Sequence, residues 1–287
     1  MRSKWSFSHR FRRSEPGQDF WHRLSSSGQN ELLGFGVWST LLGASPAIFG
    51  FATEVLTMKK IRLDSPFLES YELFAGVSSA IQSEVLASGT TRRFERREAL
   101  FFTGDTVGMV MLLLQGCVKL TQLTERGSEV ILRLHGPGEI IGVPDWTPGD
   151  VHSSTAQALQ ASVALVWSPE TFQSLLQRFP QLQRNAIEII QHMLRALERR
   201  YCVVSTATVA PRLAHGLVHV FEQVGQEVNG HVEINLTQEE LGQMTAMSSF
   251  EVSRVLSQWE RQGLVKLRRE VIEVQNLHRL LELCEVN

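Results

Sequence analysis

Between Arg92 and Trp167 the apolar residues come in short runs punctuated by glycine, as in RRFERREALFFTGD, MVMLLLQGCVKLTQLTERGSEVILRLHGPGEIIGV and SSTAQALQASVALVW. Runs of this kind at near-regular spacing predict a small antiparallel barrel or jelly roll. Lys119 to Leu123 and Val130 to Leu132 bracket a ThrGluArgGly turn ending at Gly127, which is a hairpin signature. Gly104, Gly116, Gly127, Gly136, Gly138 and Gly142 fall where the chain must turn sharply or adopt positive φ. Shaping the barrel accounts for them without invoking a ligand.

From Pro180 the period changes. Leu182, Ala186, Ile189 or Ile190, Met193, Leu197, Tyr201 and Val204 recur three or four apart and predict one apolar stripe on a long helix. Such a stripe packs either on its own barrel or on a second copy of itself, and its near-heptad spacing over several turns favours the second copy. The dimerisation candidates are therefore Leu182, Ala186, Ile190, Met193, Leu197 and Tyr201. Pro211 breaks the pattern, and another helix begins with Arg212 to Phe221, so a boundary is expected near Ser205 to Ala210.

The sharpest constellation lies between Asn235 and Val274. Thr237 with Glu240 makes one capping box and opens a short helix with Leu241 and Met244 inward. Ser248 with Glu251 makes a second and opens a longer helix with Val252, Val255, Leu256 and Trp259 inward. Two helices joined by the tight turn Thr245 to Met247 follow the helix-turn-helix plan, in which the second helix enters the major groove of DNA. Its outward face carries Ser249, Phe250, Ser253 and Arg254, with Gln258 and Arg261 further along. Arg254 is the candidate for a bidentate contact to guanine. Phe250 either meets a thymine methyl or covers the neighbouring helix, and Ser248 and Ser249 are caps, Ser249 also within reach of a phosphate. After Gly263, LVKLRREVIEV predicts two strands around ArgArgGlu, a wing whose Lys266, Arg268 and Arg269 suit phosphate contact or simply face solvent. Glu239, Glu240, Glu251, Glu260, Glu270 and Glu273 make this region acidic, so non-specific DNA affinity should be modest.

Composition changes this picture little. The formal charge of −2 gives no global basic signal, so a nucleic-acid surface must arise from local placement. Cys117, Cys202 and Cys284 lie far apart, which argues against a disulfide framework or a cysteine zinc site and favours a reducing cytoplasm. Cys117 on a barrel strand reads as a buried small hydrophobe, with a redox role as the alternative. His215 and His219 form an i, i+4 pair without a third ligand, so no metal site is assigned. The first thirty residues are basic and aromatic, and residues 32–53 carry no charge. That stretch is long enough for a membrane span, but glycine, proline and hydroxyl residues dilute it. Met58 opens what reads as the ordinary start of a soluble protein, so residues 1–57 are expected to be a misannotated extension or a poorly ordered tail.

The order of parts, a glycine-punctuated barrel, a long apolar helix, then LTQEELGQMTAMSSFEVSRVLSQWERQGLV with a wing, resembles the Crp/Fnr family of bacterial transcription regulators. VSRVL, Val252 to Leu256, is the most specific piece, supported by FFTGD at Phe101 to Asp105 and GPGEIIG at Gly136 to Gly142. The resemblance implies a sensory β-roll, a homodimer joined by the long helix, and winged helices that bind a two-fold symmetric operator on double-stranded DNA and touch RNA polymerase. Departures from the family pattern are informative. Cyclic-AMP-binding relatives have a glutamate for the ribose where this chain has Val143, and an arginine for the phosphate where it has Ser153. An anionic phosphate would lose a charge-assisted partner, which argues against cyclic AMP. No cysteine lies between Phe7 and Lys60, which argues against an iron–sulfur cluster. Gly142 and Pro144 stand where carbon-monoxide-sensing relatives place haem ligands, leaving haem only through other residues. Many relatives carry a glutamate where Phe250 stands, whereas Arg254 matches a base-contacting arginine.

The expected fold is α+β. Residues 1–62 form the extension, 63–179 a cyclic-nucleotide-binding-like double-stranded β-helix (jelly-roll or β-roll) sensor, 180–206 a long dimerisation helix, and 207–287 a winged helix-turn-helix. The candidate DNA contacts are Ser248, Ser249, Phe250, Ser253, Arg254, Arg268 and Arg269. An unidentified small effector is expected near Val143, His152, Ser153 and Ser154, although His152 reads equally as a loop histidine. No catalytic residues are assigned. The rival readings are a cupin-type metal enzyme, for which the barrel offers only His135 and His152, and a regulator tethered to a membrane through residues 32–53.

Overall fold

The computed structural model describes residues 68, 70–142, 147–228 and 231–285. The extension 1–62, the uncharged stretch 32–53 and the start at Met58 lie outside the described residues. A 3-10 turn, Glu72–Phe74, and helix α1, Ser79–Ala87, lead into β1 Thr90–Phe94, β2 Ala99–Phe101, β3 Val110–Gln115, β4 Val118–Leu123, β5 Glu129–His135, β6 Ile140–Ile141, β7 Thr155–Ala158 and β8 Ser162–Trp167. These strands pair antiparallel into two four-stranded sheets ordered β1-β8-β3-β6 and β2-β7-β4-β5, a jelly roll.

β3 explains why VMLLL is continuously apolar instead of alternating. Met111 and Leu113 point into the roll beside Phe94, Phe101 and Val118, while Val110, Leu112 and Leu114 join Phe74, Trp167 and Phe172 under the flanking helices. A strand covered on both faces has no polar side to display. The β4–β5 hairpin turns where the sequence reading places it, with the Gly127 N–H donating to the Thr124 carbonyl at 2.9 Å. Gly104, Gly116, Gly127, Gly138 and Gly142 all have positive φ. Gly136 differs: a Cβ there would lie 2.6 Å from the Gln223 carbonyl oxygen, so it is close approach of another segment that demands glycine.

Helix α2, Pro169–Arg178, is opened by Ser168, whose hydroxyl accepts from the Thr171 N–H, and is followed by the 27-residue α3, Pro180–Thr206. The first turns of α3 are fastened to the roll. Leu182, Ala186 and Ile189 are buried against the roll's helix-facing core, and the Asn185 amide donates to the carbonyls of Leu73 and Ala75 at 2.8 and 2.9 Å. This corrects the expectation for Leu182 and Ala186, which are 1% and 2% exposed and are covered by their own protomer. The open apolar positions are Ile187, Leu194, Leu197 and Tyr201, with Ile190, Met193 and Val204 half-buried beside them. Ile187, Leu194 and Tyr201 fall seven apart, as do Ile190, Leu197 and Val204, so the heptad seam runs one residue out of phase with the sequence-derived stripe.

The break after α3 falls at Ala207 and Thr208. Pro211 is the third residue of helix α4, Val209–Val224, a first-turn position where its missing N–H costs nothing. Then follow β9 Gln226–Val228, β10 His231–Ile234, α5 Gln238–Thr245, α6 Ser249–Arg261, β11 Val265–Arg268, β12 Val271–Val274 and α7 Leu277–Glu285. The wing strands β11 and β12 extend a sheet ordered β11-β12-β10-β9. Leu213, Leu217, Leu241, Val252, Leu256, Trp259 and Ile272 share one core with Cys117, Ile131 and Leu134 of the roll. The carboxy-terminal helices and the roll belong to one compact unit, Ile61–Asn287. Among the described residues no helix is long and apolar enough to cross a membrane.

Candidate nucleic-acid interface

Both capping boxes form. The Thr237 hydroxyl accepts from the Glu240 N–H at 3.1 Å while the Glu240 carboxylate accepts from the Thr237 N–H at 2.8 Å. Ser248 and Glu251 repeat the pattern at 3.2 and 2.9 Å. Each box satisfies N–H groups that a helix start leaves without intrahelical partners. Between the helices, Ala246 takes the left-handed conformation at φ 54°, and the Met247 N–H returns to the Gly242 carbonyl at 3.0 Å. The turn passes so close to α5 that a Cβ on Gly242 would fall 2.6 Å from the Met247 carbonyl oxygen. Leu241, Met244, Val252, Val255, Leu256 and Trp259 are buried between the helices and the sheet, as their spacing predicts.

The opposite face of α6 is open. Ser248, Ser249, Phe250, Arg254, Gln258 and Arg261 are exposed and Ser253 is half-buried. Phe250, 76% exposed, does not cover the neighbouring helix. Arg254 has no ion pair with any described residue. The carboxylates of this region are largely engaged. Beyond the two caps, Glu260 accepts from the Leu267 N–H at 2.8 Å, Glu273 accepts from Arg268 at 2.6 Å, and Glu270 accepts from Arg96 at 2.7 Å.

The wing is a correction in part. Arg268 points its guanidinium at Glu233 and the buried Glu273, 3.1 and 2.6 Å away, so two carboxylates of its own sheet hold it. A cation neutralised in this way is a poor phosphate ligand, and the phosphate role expected for it is withdrawn. Arg269 and Lys266 remain exposed on the wing.

A joint connects this face to the roll. Arg200, on the second half of α3, donates through Nη2 to the carbonyls of Ile131 in β5, at 2.7 Å, and Met244 at the end of α5, at 2.5 Å, and through Nη1 to Leu132. Burial pulls its pKa below the usual arginine value. Nearby, burial would raise the Glu139 carboxyl, but the His135 ring 3.4 Å away, Arg133 and the Gly136 N–H outweigh it and hold Glu139 below the usual carboxylate range. His219 on α4 is pushed down by burial and by the Arg200 and Arg133 charges. Burial pushes the Cys117 thiol up to about 12, consistent with a small apolar residue and not with a reactive thiolate. His215 is hydrogen-bonded to the Cys284 carbonyl at 3.0 Å, and among the described residues no group of His, Cys, Asp and Glu can hold a metal ion.

The expected effector residues are only partly brought together. His152 is buried and stacks on Phe101, ring centroids 3.6 Å apart, beside Gly142. Ser154 is buried, whereas Ser153 is exposed and its carbonyl accepts from Gln122 at 2.8 Å. Val143, with Pro144 and Trp146, lies outside the described residues. From Gly142 to Trp167 the sequence holds no lysine or arginine, and the His152–Phe101 stack packs against Gly142. The residues present do not fit a cyclic nucleotide's phosphate.

Sequence reasoning missed Arg200, the Arg96–Glu270 pair, β9 and β10, and α7. Arginines and glutamates 174 residues apart leave no local signal. The β9–β10 hairpin did have one, the Asn229-Gly230 dipeptide.

Comparison with known proteins agrees with this architecture. Residues 91–179 match the cyclic nucleotide-binding domain family and residues 211–283 the Crp-like helix-turn-helix domain family. The fumarate and nitrate reduction regulatory protein of Vibrio cholerae is 24% identical over 195 residues, covering 67% of this chain and 78% of that protein. The transcriptional activator protein FnrA of Stutzerimonas stutzeri is 25% identical over 186 residues, covering 64% and 75%. Among solved structures, FixK2 from Bradyrhizobium japonicum superposes with a TM-score of 0.62 at 21% identity, covering 69% of this chain and 98% of its own. The c-di-GMP responsive global regulator CLP of Xanthomonas campestris gives 0.59 at 19% identity, covering 69% and 99%. With roll, long helix and capped helix pair in the same order as in these regulators, the chain belongs to the Crp/Fnr family of transcription regulators.

Proposed function

We propose that this regulator acts as a homodimer on a two-fold symmetric DNA operator, in the cytoplasm, under control of a small effector sensed by the roll, and that it touches RNA polymerase when bound. The observation that carries the reading is the open face of α6, with Ser249, Ser253 and Arg254 presented to solvent while the rest of the helix is buried. That geometry suits a helix laid in the major groove, with Arg254 paired to guanine O6 and N7 and Ser249 on a phosphate. The exposed heptad of Ile187, Leu194 and Tyr201 supports pairing of two copies along α3, which would set two recognition helices about 34 Å apart, one turn of DNA.

Control is read as a change of angle, not of access. The roll holds α5 through Arg200 and the wing through Arg96, and neither contact covers the α6 face. An effector that shifts β5 would tilt both helix pairs and alter their separation. Cyclic AMP is not proposed as that effector, since the roll offers no cation for its phosphate where the family places one. The test is selection of bound duplexes from random DNA by the full chain, with and without cell extract. A palindrome with half-sites one helical turn apart is expected. A monomer that enriches no duplex in any condition would overturn the reading.

A further inference from the structure

We infer that Phe250 reads a thymine methyl group, so that each half-site is specified by a guanine and a neighbouring thymine and by no direct cytosine contact. The inference rests on the reading of α6 as a groove-binding helix. Phe250 is the second residue of α6, in the turn that reaches deepest when a recognition helix enters the major groove. It is the most exposed large apolar side chain among the described residues, and nothing in the protomer packs on it. Ser253 and Arg254 follow it by three and four positions, which on a helix makes them its neighbours on one face. A phenyl ring beside a guanidinium that pairs with guanine therefore meets the next base pair or the one after it.

The chemistry of that base pair follows from what the helix lacks. Cytosine presents an amino donor in the major groove, and a side chain that selects it must accept a hydrogen bond. α6 has two carboxylates. Glu251 is held in the capping box, its oxygen accepting from the N–H and hydroxyl of Ser248 at 2.9 and 2.8 Å. Glu260 accepts from the Leu267 N–H in β11. Neither is free to face a base. A phenyl ring placed over a cytosine amino group would strip its water and return no bond, whereas over thymine it covers the apolar 5-methyl group.

The test uses the full chain on its best selected duplex, with each thymine replaced in turn by deoxyuridine, which removes only the methyl group. One symmetric pair of positions, within two base pairs of the Arg254-dependent guanine, should weaken binding by about three- to fivefold per half-site, the worth of one buried methyl. Phe250→Ala should bind the thymine and uracil duplexes equally. Phe250→Glu should move the selected base at that position to cytosine. Because Phe250 is exposed, both variants should keep the wild-type melting temperature, which separates a change of readout from a loss of fold. Uracil tolerated everywhere within twofold, or a methyl effect that survives in Phe250→Ala, would overturn the inference while leaving DNA binding intact. Failure to select any duplex would instead sink the reading beneath it.

Discussion

Arg96, in the turn between β1 and β2, holds Glu270 at the tip of the wing with Nη2 2.7 Å from Oε2. Glu270 adopts a left-handed backbone at φ 60°, so the wing turn is shaped around this contact at its far end. The pair is solvent-exposed, and pairs of that kind add little to overall stability. Its effect should be on orientation. Arg96→Glu is expected to leave the urea midpoint unchanged while speeding hydrogen exchange at β11 and β12, and the swap Arg96→Glu with Glu270→Arg should restore slow exchange. Equal exchange in all three proteins would show that the contact does not hold the wing.

Arg200 is a different case, because it is buried and three carbonyl groups depend on it. Replacing it by alanine leaves those oxygens without a donor, and a cost of about 2 to 4 kcal/mol is expected from charged hydrogen bonds of this type. The roll and the helix-turn-helix should then unfold in two steps in urea where the native chain unfolds in one. A single transition with an unchanged midpoint would remove Arg200 from the joint.

Helix α3 gives a paired prediction. Leu182→Ala empties a site inside the roll and should destabilise the protomer by about 2 to 5 kcal/mol. Leu194→Asp changes a side chain that is 55% exposed and should leave protomer stability near wild type but shift sedimentation from dimer to monomer. If Leu194→Asp sediments as a dimer, the seam lies elsewhere.

The pH dependence follows from His219, whose pKa in the fold lies below its usual 6.5. Above that value neither folded nor unfolded chain protonates it, and its contribution to stability is fully present. As the pH falls below 6.5 the unfolded chain takes up the proton first, so stability declines until the folded-state pKa is passed. Glu139, held below its usual 4.5, adds a separate loss in a more acidic window. Urea midpoints should therefore drop between about pH 7 and about pH 5, and His219→Gln should flatten that drop. An identical slope in the variant would assign the titration to another group.

Much of the fold was legible in the chain, for reasons that differ by element. The capping boxes were readable because a hydroxyl and a carboxylate three residues apart act entirely within one turn. The roll was readable from glycine punctuation, and β3 from an apolar run too short for a helix and too continuous for a half-buried strand. The stripe on α3 misled by one position, since periodicity reports that a face is apolar but not which neighbour covers it. Arg268 misled for a related reason: a charged residue in a predicted turn looks free until the partner strand brings Glu233 and Glu273 beside it. The candidate site was legible on α6, where burial and exposure follow from local helix geometry. It was illegible at the joint, where Arg200 draws together segments from three distant stretches of the chain.

The division of α3 between two tasks has a thermodynamic corollary. Its opening turns complete the interior of a single protomer, and its later turns offer a surface that only another molecule can cover. Dilution should therefore part the two copies while each remains folded, and operator occupancy in a cell would rise with roughly the square of protein concentration near the point where pairing begins.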